Sequence, residues 1–206
     1  MRDAAEERHR DAVVHDSAPM TVARWLSILF HPFVMVGVMV GAAAAASQTT
    51  GEAVRSVGTV VLFTIVPLAV LMWRQVRRGS WENVDASNRA ERPILYVVGG
   101  VAVVALLAYL LLLRPQSFMV RGVVATLGMM AVCAVATRWI KVSLHMAFAT
   151  LTATALALMR SPIGYALVLA LPAIVWSRLF LQRHTPIELT CGAIIGAGAG
   201  AALHYL

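Results

Sequence analysis

The sequence predicts an all-α membrane protein, and three observations support this fold class. Of its 206 residues, 60% are hydrophobic and only 13% are charged, whereas a typical soluble domain carries about 25% charged residues. The mean hydropathy is +0.77. The apolar residues form runs close to the roughly 20 residues that a helix needs to cross a bilayer, without the alternation of barrel strands. We therefore expect a polytopic membrane helix bundle with six to seven transmembrane helices.

Seven apolar runs are candidate spans, and a polar tail precedes them. Residues 1–24 are of mixed charge and contain no signal-peptide core, so we expect a disordered tail followed by a single transmembrane domain over 25–206. Pro32 lies within the first span and predicts a kink there, beside His31. The candidate spans are 25–46, 56–73, 94–113, 118–138, 144–160, 163–181 and 187–205.

The basic residues predict how the chain is oriented. With the N terminus in the cytoplasm, that side holds 13 of the 17 lysines and arginines. The other side holds only Arg55, Arg114, Arg121 and Arg160. The positive-inside rule then favours a cytoplasmic N terminus, and we expect a multi-pass protein of a bacterial inner (plasma) membrane. The net charge of +7 indicates contact with membrane lipids and not with nucleic acid, because no aromatic-plus-basic nucleic-acid motif is present.

Three glycines repeat every four residues in the last span, at Gly192, Gly196 and Gly200. Small residues at this spacing let helices approach closely in membranes. A dinucleotide-binding loop is excluded, because no strand precedes the glycines and no acidic residue follows at the required distance. We expect a packing face, and one use of it would be to form a homo-oligomer.

The most reactive side chains fall in three loops, which the seven-span arrangement places at one membrane face. In the last loop, Thr185, Pro186 and Glu188 are typical of a helix start with a capping box. This structural role does not explain Arg178 or His184, which lie in the same loop. The three loops are 82–93, 138–145 and 177–188.

The other two loops contribute side chains that suit phosphoryl transfer. Ser143 and His145 begin the fifth span, with Lys141 just before them, and Arg89 and Arg92 lie in the first loop. Planar guanidinium groups match phosphoryl oxygens, and two histidines suit a nucleophile and a general acid. No carboxylate cluster for a metal is present. The set predicts metal-independent transfer through a phosphohistidine, with no cofactor and no metal ion.

The order of these residues resembles the type 2 phosphatidic acid phosphatase superfamily of membrane lipid phosphatases. Its three motifs are K-x6-R-P, P-S-G-H and S-R-x5-H-x3-D. The third is matched from Ser177 to Glu188, with glutamate in place of aspartate. The second is 142-VSLH-145, without its proline and glycine, and the first is 85-DASNRAERP-93, with Asp85 in place of lysine. The motifs span residues 85 to 188, and the departures mark a divergent member.

The resemblance implies a phosphatase core in the last six spans, acting on a lipid or polyprenyl phosphate or diphosphate. It implies that His184 attacks phosphorus, that Glu188 fixes the tautomer of His184, and that His145 protonates the leaving alkoxide and then activates water. It also implies a set of polar side chains that hold the phosphate oxygens, namely Arg92, Arg178 and Ser143, with Arg89 or Lys141 replacing the missing lysine.

Two other functions are consistent with the sequence. A non-catalytic relative that binds or transports anionic lipid is favoured by Asp85 and Leu144, which depart from the phosphatase motifs. An intramembrane prenyltransferase is favoured by the first loop, with Asp85 and Asn88, although a second aspartate-rich motif for Mg²⁺ is absent. Phosphate binding without turnover would mark the first alternative, and dependence on Mg²⁺ the second.

Overall fold

The computed structural model describes residues 18–81, 88–114 and 117–205, and these residues form helices without a strand among them. The predicted all-α fold is confirmed. A π-helical segment (Val61–Ile65) and a 3-10 turn (Arg89–Glu91) lie between the α-helices. The helices are α1 (Ala18–Leu29), α2 (Pro32–Ser47), α3 (Thr50–Val60), α4 (Val66–Arg77), α5 (Arg92–Leu113), α6 (Met119–Ala136), α7 (Leu144–Leu158), α8 (Pro162–Phe180) and α9 (Pro186–Tyr205).

Five helical segments of the described residues are long and apolar enough to cross a membrane, and six if the bent pair α1–α2 counts as one span. The continuous segment Thr50–Arg77 is one of them. The remaining predicted run is α7, a shorter apolar helix of 15 residues. The seven runs therefore occur in the predicted order, but α7 is too short to be a full span by the same criterion.

The outward surface of the bundle is apolar. Val101, Leu112, Leu169 and Ile194 have 66%, 80%, 81% and 67% of their surface exposed. Exposed apolar surface on this scale is unfavourable in water, and in a bilayer it faces hydrocarbon. Because each helix satisfies its own backbone hydrogen bonds, such helices are suited to that environment. These features are those of a multi-pass membrane protein.

Helix α7 lies at the centre of the bundle and packs against α2, α8 and α9. Eleven of its fifteen residues are buried. One of them, Thr152, donates a hydrogen bond to the carbonyl oxygen of Met35 in α2 at 3.2 Å. A helix enclosed by protein does not have to match the bilayer thickness, which accounts for its short length.

The predicted glycine packing face is confirmed, and its partner is α7 of the same chain. A Cβ atom at Gly196 would lie 2.0 Å from the carbonyl oxygen of Ala147, and one at Gly192 would lie 2.6 Å from that of Ser143. Gly200 is buried in the same contact. Since α7 of the same chain covers this face, a homo-oligomer, which stays a prediction, would have to use another surface.

The N-terminal helix begins earlier than predicted. Helix α1 starts at Ala18, so residues 18–24, assigned above to the polar tail, are helical. Residues 1–17 lie outside the described part. Helices α1 and α2 meet at the expected kink with a bend of 49°. His31 forms the N-cap of α2, where its Nδ1 accepts a hydrogen bond from the Phe33 amide at 3.2 Å. After the bend, α1 packs against α8.

Candidate functional site

Backbone and side-chain contacts tie the three loops together at one end of the bundle. Arg92 Nη1, at the start of α5, donates a hydrogen bond to the carbonyl oxygen of Val142 before α7. The Ser143 amide donates to the carbonyl oxygen of Glu188 at 3.2 Å. Lys141 Nζ donates to the carbonyl oxygen of Arg183 at 2.9 Å. The first loop is thus linked to the second, and the second to the third.

Glu188 has two roles at the start of α9. The capping box is present, because Thr185 N–H donates to Glu188 Oε2 at 3.2 Å and Glu188 N–H donates to Thr185 Oγ1 at 3.4 Å. The same Oε2 lies 2.8 Å from His184 Nδ1. A carboxylate only accepts hydrogen bonds, so Nδ1 carries the proton and Nε2 carries the lone pair. Glu188 therefore caps the start of α9 and orients His184 at the same time.

His184 is held in its neutral form. Burial, together with the positive charges of Arg178, Arg92 and Lys141, lowers the pKa of His184 to about 2. The Glu188 carboxylate acts in the opposite direction, but desolvation of the ring is the larger effect. Because a neutral imidazole is the nucleophilic form, His184 Nε2 is suited to attack an electrophile at neutral pH.

Two arginines are buried at this end of the bundle. Arg92 begins α5 and Arg178 lies in the last turn of α8, and each has 2% of its surface exposed. Arg178 Nη1 donates a hydrogen bond to Ser27 Oγ of α1. Burying a guanidinium group is costly unless a negative charge compensates it. An anion held between Arg92 and Arg178 would provide that compensation.

His145 lies next to these arginines, on the first turn of α7. One ring nitrogen forms a hydrogen bond with the backbone of Ser27. The other, Nε2, is buried without a hydrogen-bond partner among the described residues, and Arg92 Nε is in the same state. Buried polar atoms are nearly always paired in folded proteins. The two atoms therefore mark a place for a ligand, which can accept a hydrogen bond from Arg92 Nε and contact His145 Nε2.

Ser143 forms the N-cap of α7, where its hydroxyl oxygen accepts a hydrogen bond from the Met146 amide at 3.5 Å. The hydroxyl is completely buried. It lies one residue from the Val142 carbonyl that Arg92 contacts. A phosphate role for Ser143 would therefore use the N terminus of α7 as well as the hydroxyl, since free amides at a helix start attract anions.

Other predicted residues lie further from the buried cluster. Arg89 is exposed and lines an open cleft with Trp139, Lys141 and Glu188, at the entrance to the site. Lys141 lies between this cleft and the buried cluster, since its Nζ is 3.9 Å from Glu188 Oε2. Partial burial lowers the pKa of Lys141. Asp85 lies outside the described residues. Leu144 lines an apolar cavity within the bundle.

Sequence reasoning missed two residues of this site. The His31 ring lies 5.2 Å from the His145 ring at 88°, and Ser27 contacts both Arg178 and His145. The sequence did contain a feature that could have indicated these residues, because the proline kink falls near the start of the first span. Under the predicted topology, that part of the span lies at the same membrane face as the three loops.

Within the described ranges, no group of three or more His, Cys, Asp or Glu side chains lies close enough together to hold a metal ion. Comparisons of the chain with protein-family models, with curated proteins and with solved structures find no match. We therefore infer a function from the chemistry of the site.

Proposed function

We propose that this chain is a membrane phosphatase that hydrolyses a lipid or polyprenyl phosphate or diphosphate without a metal ion, through a phosphohistidine. We further propose that it is a divergent member of the type 2 phosphatidic acid phosphatase superfamily, with its core in the last six spans. The observation that carries the proposal is the grouping of neutral, carboxylate-oriented His184 with the buried cations Arg92 and Arg178.

The first chemical step forms the phosphohistidine. The phosphoryl oxygens bind between Arg92 and Arg178, and His184 Nε2 attacks phosphorus. The bond from phosphorus to the lipid oxygen breaks, and His145 Nε2, protonated once an anion occupies the site, gives its proton to the leaving alkoxide. Glu188 stabilises the positive charge that develops on the His184 ring.

The second step releases phosphate. Neutral His145 takes a proton from a water molecule as its oxygen attacks phosphorus, and the phosphorus–nitrogen bond breaks. The electron pair returns to His184 Nε2, which restores the starting state. In both steps the negative charge on the phosphoryl oxygens is stabilised by fixed guanidinium groups, which is the main contribution of proteins to phosphoryl transfer.

Charge and location are consistent with this proposal. Arg89 and Lys141 line the open cleft at the entrance, and both would attract an anionic headgroup. We propose a bacterial plasma membrane as the location, and the distribution of basic residues favours a cytoplasmic N terminus. The site would then open to the cytoplasm, because the three loops lie on the same side of the membrane as the N terminus.

The test is release of inorganic phosphate from a panel of lipid and polyprenyl phosphates, by purified protein in detergent with EDTA. We expect release that survives EDTA and is lost in His184→Ala. Tyr165→Ala is the control, because Tyr165 is exposed in the first turn of α8 and does not belong to the three loops, and it should retain full activity. Release that requires a divalent cation, or that persists in His184→Ala, would contradict the proposal.

A second candidate is a protein that binds or transports anionic lipid without turnover. It is favoured by the contacts that cover the site, since Ser177 Oγ donates to the Ala23 carbonyl oxygen at 2.7 Å and Arg178 donates to Ser27. Both partners belong to α1. Binding of the same phosphate panel with no release by the wild type would support this candidate.

A further inference from the structure

An apolar cavity of about 360 Å³ lies inside the bundle, and the catalytic steps proposed above do not use it. Side chains of α2 to α7 and of α9 line it, together with the π-helical segment Val61–Ile65. On α7 the lining extends from Leu144 to the residue after its end, Met159, a distance of about 22 Å at 1.5 Å per residue. The cavity therefore runs from the candidate site towards the opposite end of the bundle.

One end of the cavity adjoins the candidate site. His31 lines the cavity, and its ring lies 5.2 Å from that of His145. Tyr96 also lines it and lies one turn after Arg92 on α5. A molecule whose phosphate group lies between Arg92 and His145 would have its attached carbon chain at this opening.

The interior of the cavity suits a flexible hydrocarbon chain. Thr64 lines it within the π-helical segment, but its hydroxyl donates to the Val60 carbonyl oxygen at 2.7 Å and is satisfied within its own helix. Such π-helical turns occur frequently at functional sites. Unbranched methionine side chains adapt to ligands of irregular shape. Five of them line the cavity: Met39, Met72, Met119, Met130 and Met159.

We propose that this cavity binds the tail of the substrate as one extended hydrocarbon chain. The substrate class is then a single-chain phosphate, either an isoprenoid or a one-chain alkyl or acyl phosphate, and not a two-chain glycerolipid. The volume lies near the lower end of the roughly 300–1,000 Å³ of ligand pockets, which leaves room for one chain. The identity of the headgroup rests on the proposed function.

The far end of the cavity sets a length limit. Arg121 and His204 line it there, and a hydrocarbon chain gains nothing by reaching charged or polar groups. Gly122, beside Arg121, also lines this end, and a Cβ atom at Gly122 would lie 3.8 Å from side-chain atoms of Leu203 and Met39. A leucine at position 122 would therefore shorten the cavity without a clash at its Cβ.

The test is equilibrium binding of non-hydrolysable alkyl phosphonates of increasing chain length, and of a two-chain phosphonate, to purified full-length protein in one detergent. Wild type, Gly122→Leu and Gly128→Leu are compared. Gly128 is the control because it lies on the same helix, is exposed, and has no atom within 4 Å of a Cβ built there. Neither glycine contacts the headgroup site.

We expect Gly122→Leu to weaken binding of the longest single-chain phosphonate by at least about tenfold and to leave the shortest unchanged, because each buried methylene contributes several-fold to affinity. Gly128→Leu should bind as the wild type does. Equal binding of every chain length by Gly122→Leu and wild type, or two-chain binding as tight as single-chain binding, would overturn the proposal. Length-dependent phosphonate binding by a protein that releases no phosphate from the panel of lipid and polyprenyl phosphates would overturn only the proposed function.

Discussion

His184 Nδ1 lies 2.8 Å from Glu188 Oε2, and the same carboxylate oxygen accepts the Thr185 amide hydrogen at 3.2 Å. One side chain therefore begins α9 and fixes the tautomer of the histidine that precedes it. Because the capping role needs only an acceptor and the histidine role needs a charge, a single substitution separates the two. This separation is the basis of the first prediction.

We predict that Glu188→Gln lowers phosphate release by about 100-fold or more and changes thermal stability little. Glutamine can still accept the hydrogen bond of the Thr185 amide in a capping box, but it cannot stabilise a positively charged ring. The expected loss lies within the range of rate effects that acid–base catalysis provides. The measurement is the rate of phosphate release beside thermal unfolding in detergent. Glu52→Gln is the control, because Glu52 forms a similar capping box with Thr49 through an exposed hydrogen bond. Equal loss of activity in both variants would contradict the prediction.

The two arginines of the first loop should differ in their effects. Arg92 is buried and contacts the Val142 carbonyl, whereas Arg89 is exposed at the entrance. We expect Arg92→Lys to lower kcat by about 100-fold, because lysine lacks the planar fork. Arg89→Lys should leave kcat and the salt dependence of KM unchanged, because the positive charge remains. Arg89→Gln removes the charge, so it should raise KM at low salt only, where electrostatic attraction is not screened. A larger fall in kcat for Arg89→Lys than for Arg92→Lys would reverse these roles.

Lowering the pH should destabilise the protein through His184. The pKa of His184 is lowered by burial and by Arg178, so the unfolded chain binds more protons than the folded one between about pH 6.5 and about pH 2. The contribution of His184 to the free energy of unfolding is therefore complete above about pH 6.5 and falls as the pH decreases. Between pH 7 and pH 5 we expect a loss of about 1–2 kcal/mol from this group.

The measurement is thermal unfolding in detergent at both pH values, for wild type and His184→Gln. The variant lacks this titrating group, so its unfolding temperature should depend less on pH. Thr190→Ala, changed at an exposed position on α9, should respond to pH as the wild type does. A pH response of the same size in His184→Gln and wild type would show that His184 is not held neutral.

The contact between α7 and α9 should not tolerate a methyl group. A Cβ at Gly196 would lie 2.0 Å from the Ala147 carbonyl oxygen and 2.2 Å from Thr150 Oγ1, so Gly196→Ala forces the helices apart. We expect it to cost about 1–3 kcal/mol of stability. Gly198→Ala is the control on the same helix, with no neighbouring atom within 4 Å. An unfolding temperature as high in Gly196→Ala as in Gly198→Ala would refute the predicted contact.

Helix α1 should be held over the site by identifiable hydrogen bonds. Ser27 Oγ accepts from Arg178 Nη1, so Ser27→Ala removes one contact worth about 1 kcal/mol. We expect the α1 amides to exchange with solvent about fivefold faster, measured by hydrogen–deuterium exchange with mass spectrometry. Ser47→Ala removes an exposed hydroxyl that bonds within its own helix, and it should leave exchange in α1 unchanged. An unchanged rate in Ser27→Ala would mean that α1 is held by other contacts.

Much of the fold follows from local sequence. The order of the apolar helices, the kink before Pro32 and the packing face of Gly196 were all predicted from runs, proline chemistry and small-residue spacing. The start of α1 was not, because residues 18–24 include polar side chains and belong to no apolar run. Their helix is stabilised by contacts with α8, including the hydrogen bond from Ser177 to Ala23.

The site is predictable only in part. The resemblance implied that Glu188 orients His184, and the structure places Glu188 Oε2 2.8 Å from His184 Nδ1. Nothing local indicates that Arg89 lies at the entrance and Arg92 in the interior, although they are three residues apart. Nor does sequence indicate that Ser27 contacts Arg178, because that contact joins α1 to α8.

The sequence by itself determined the helices and the end of the bundle at which each loop lies. Apolar chain in a bilayer must satisfy its backbone hydrogen bonds within each helix, and successive spans then alternate in direction. Only the tertiary structure decided which charged groups are buried, which histidine is neutral and where an internal cavity meets the site. These properties depend on desolvation and on charges from helices far apart in sequence, so they arise only when α1, α5, α7, α8 and α9 pack together.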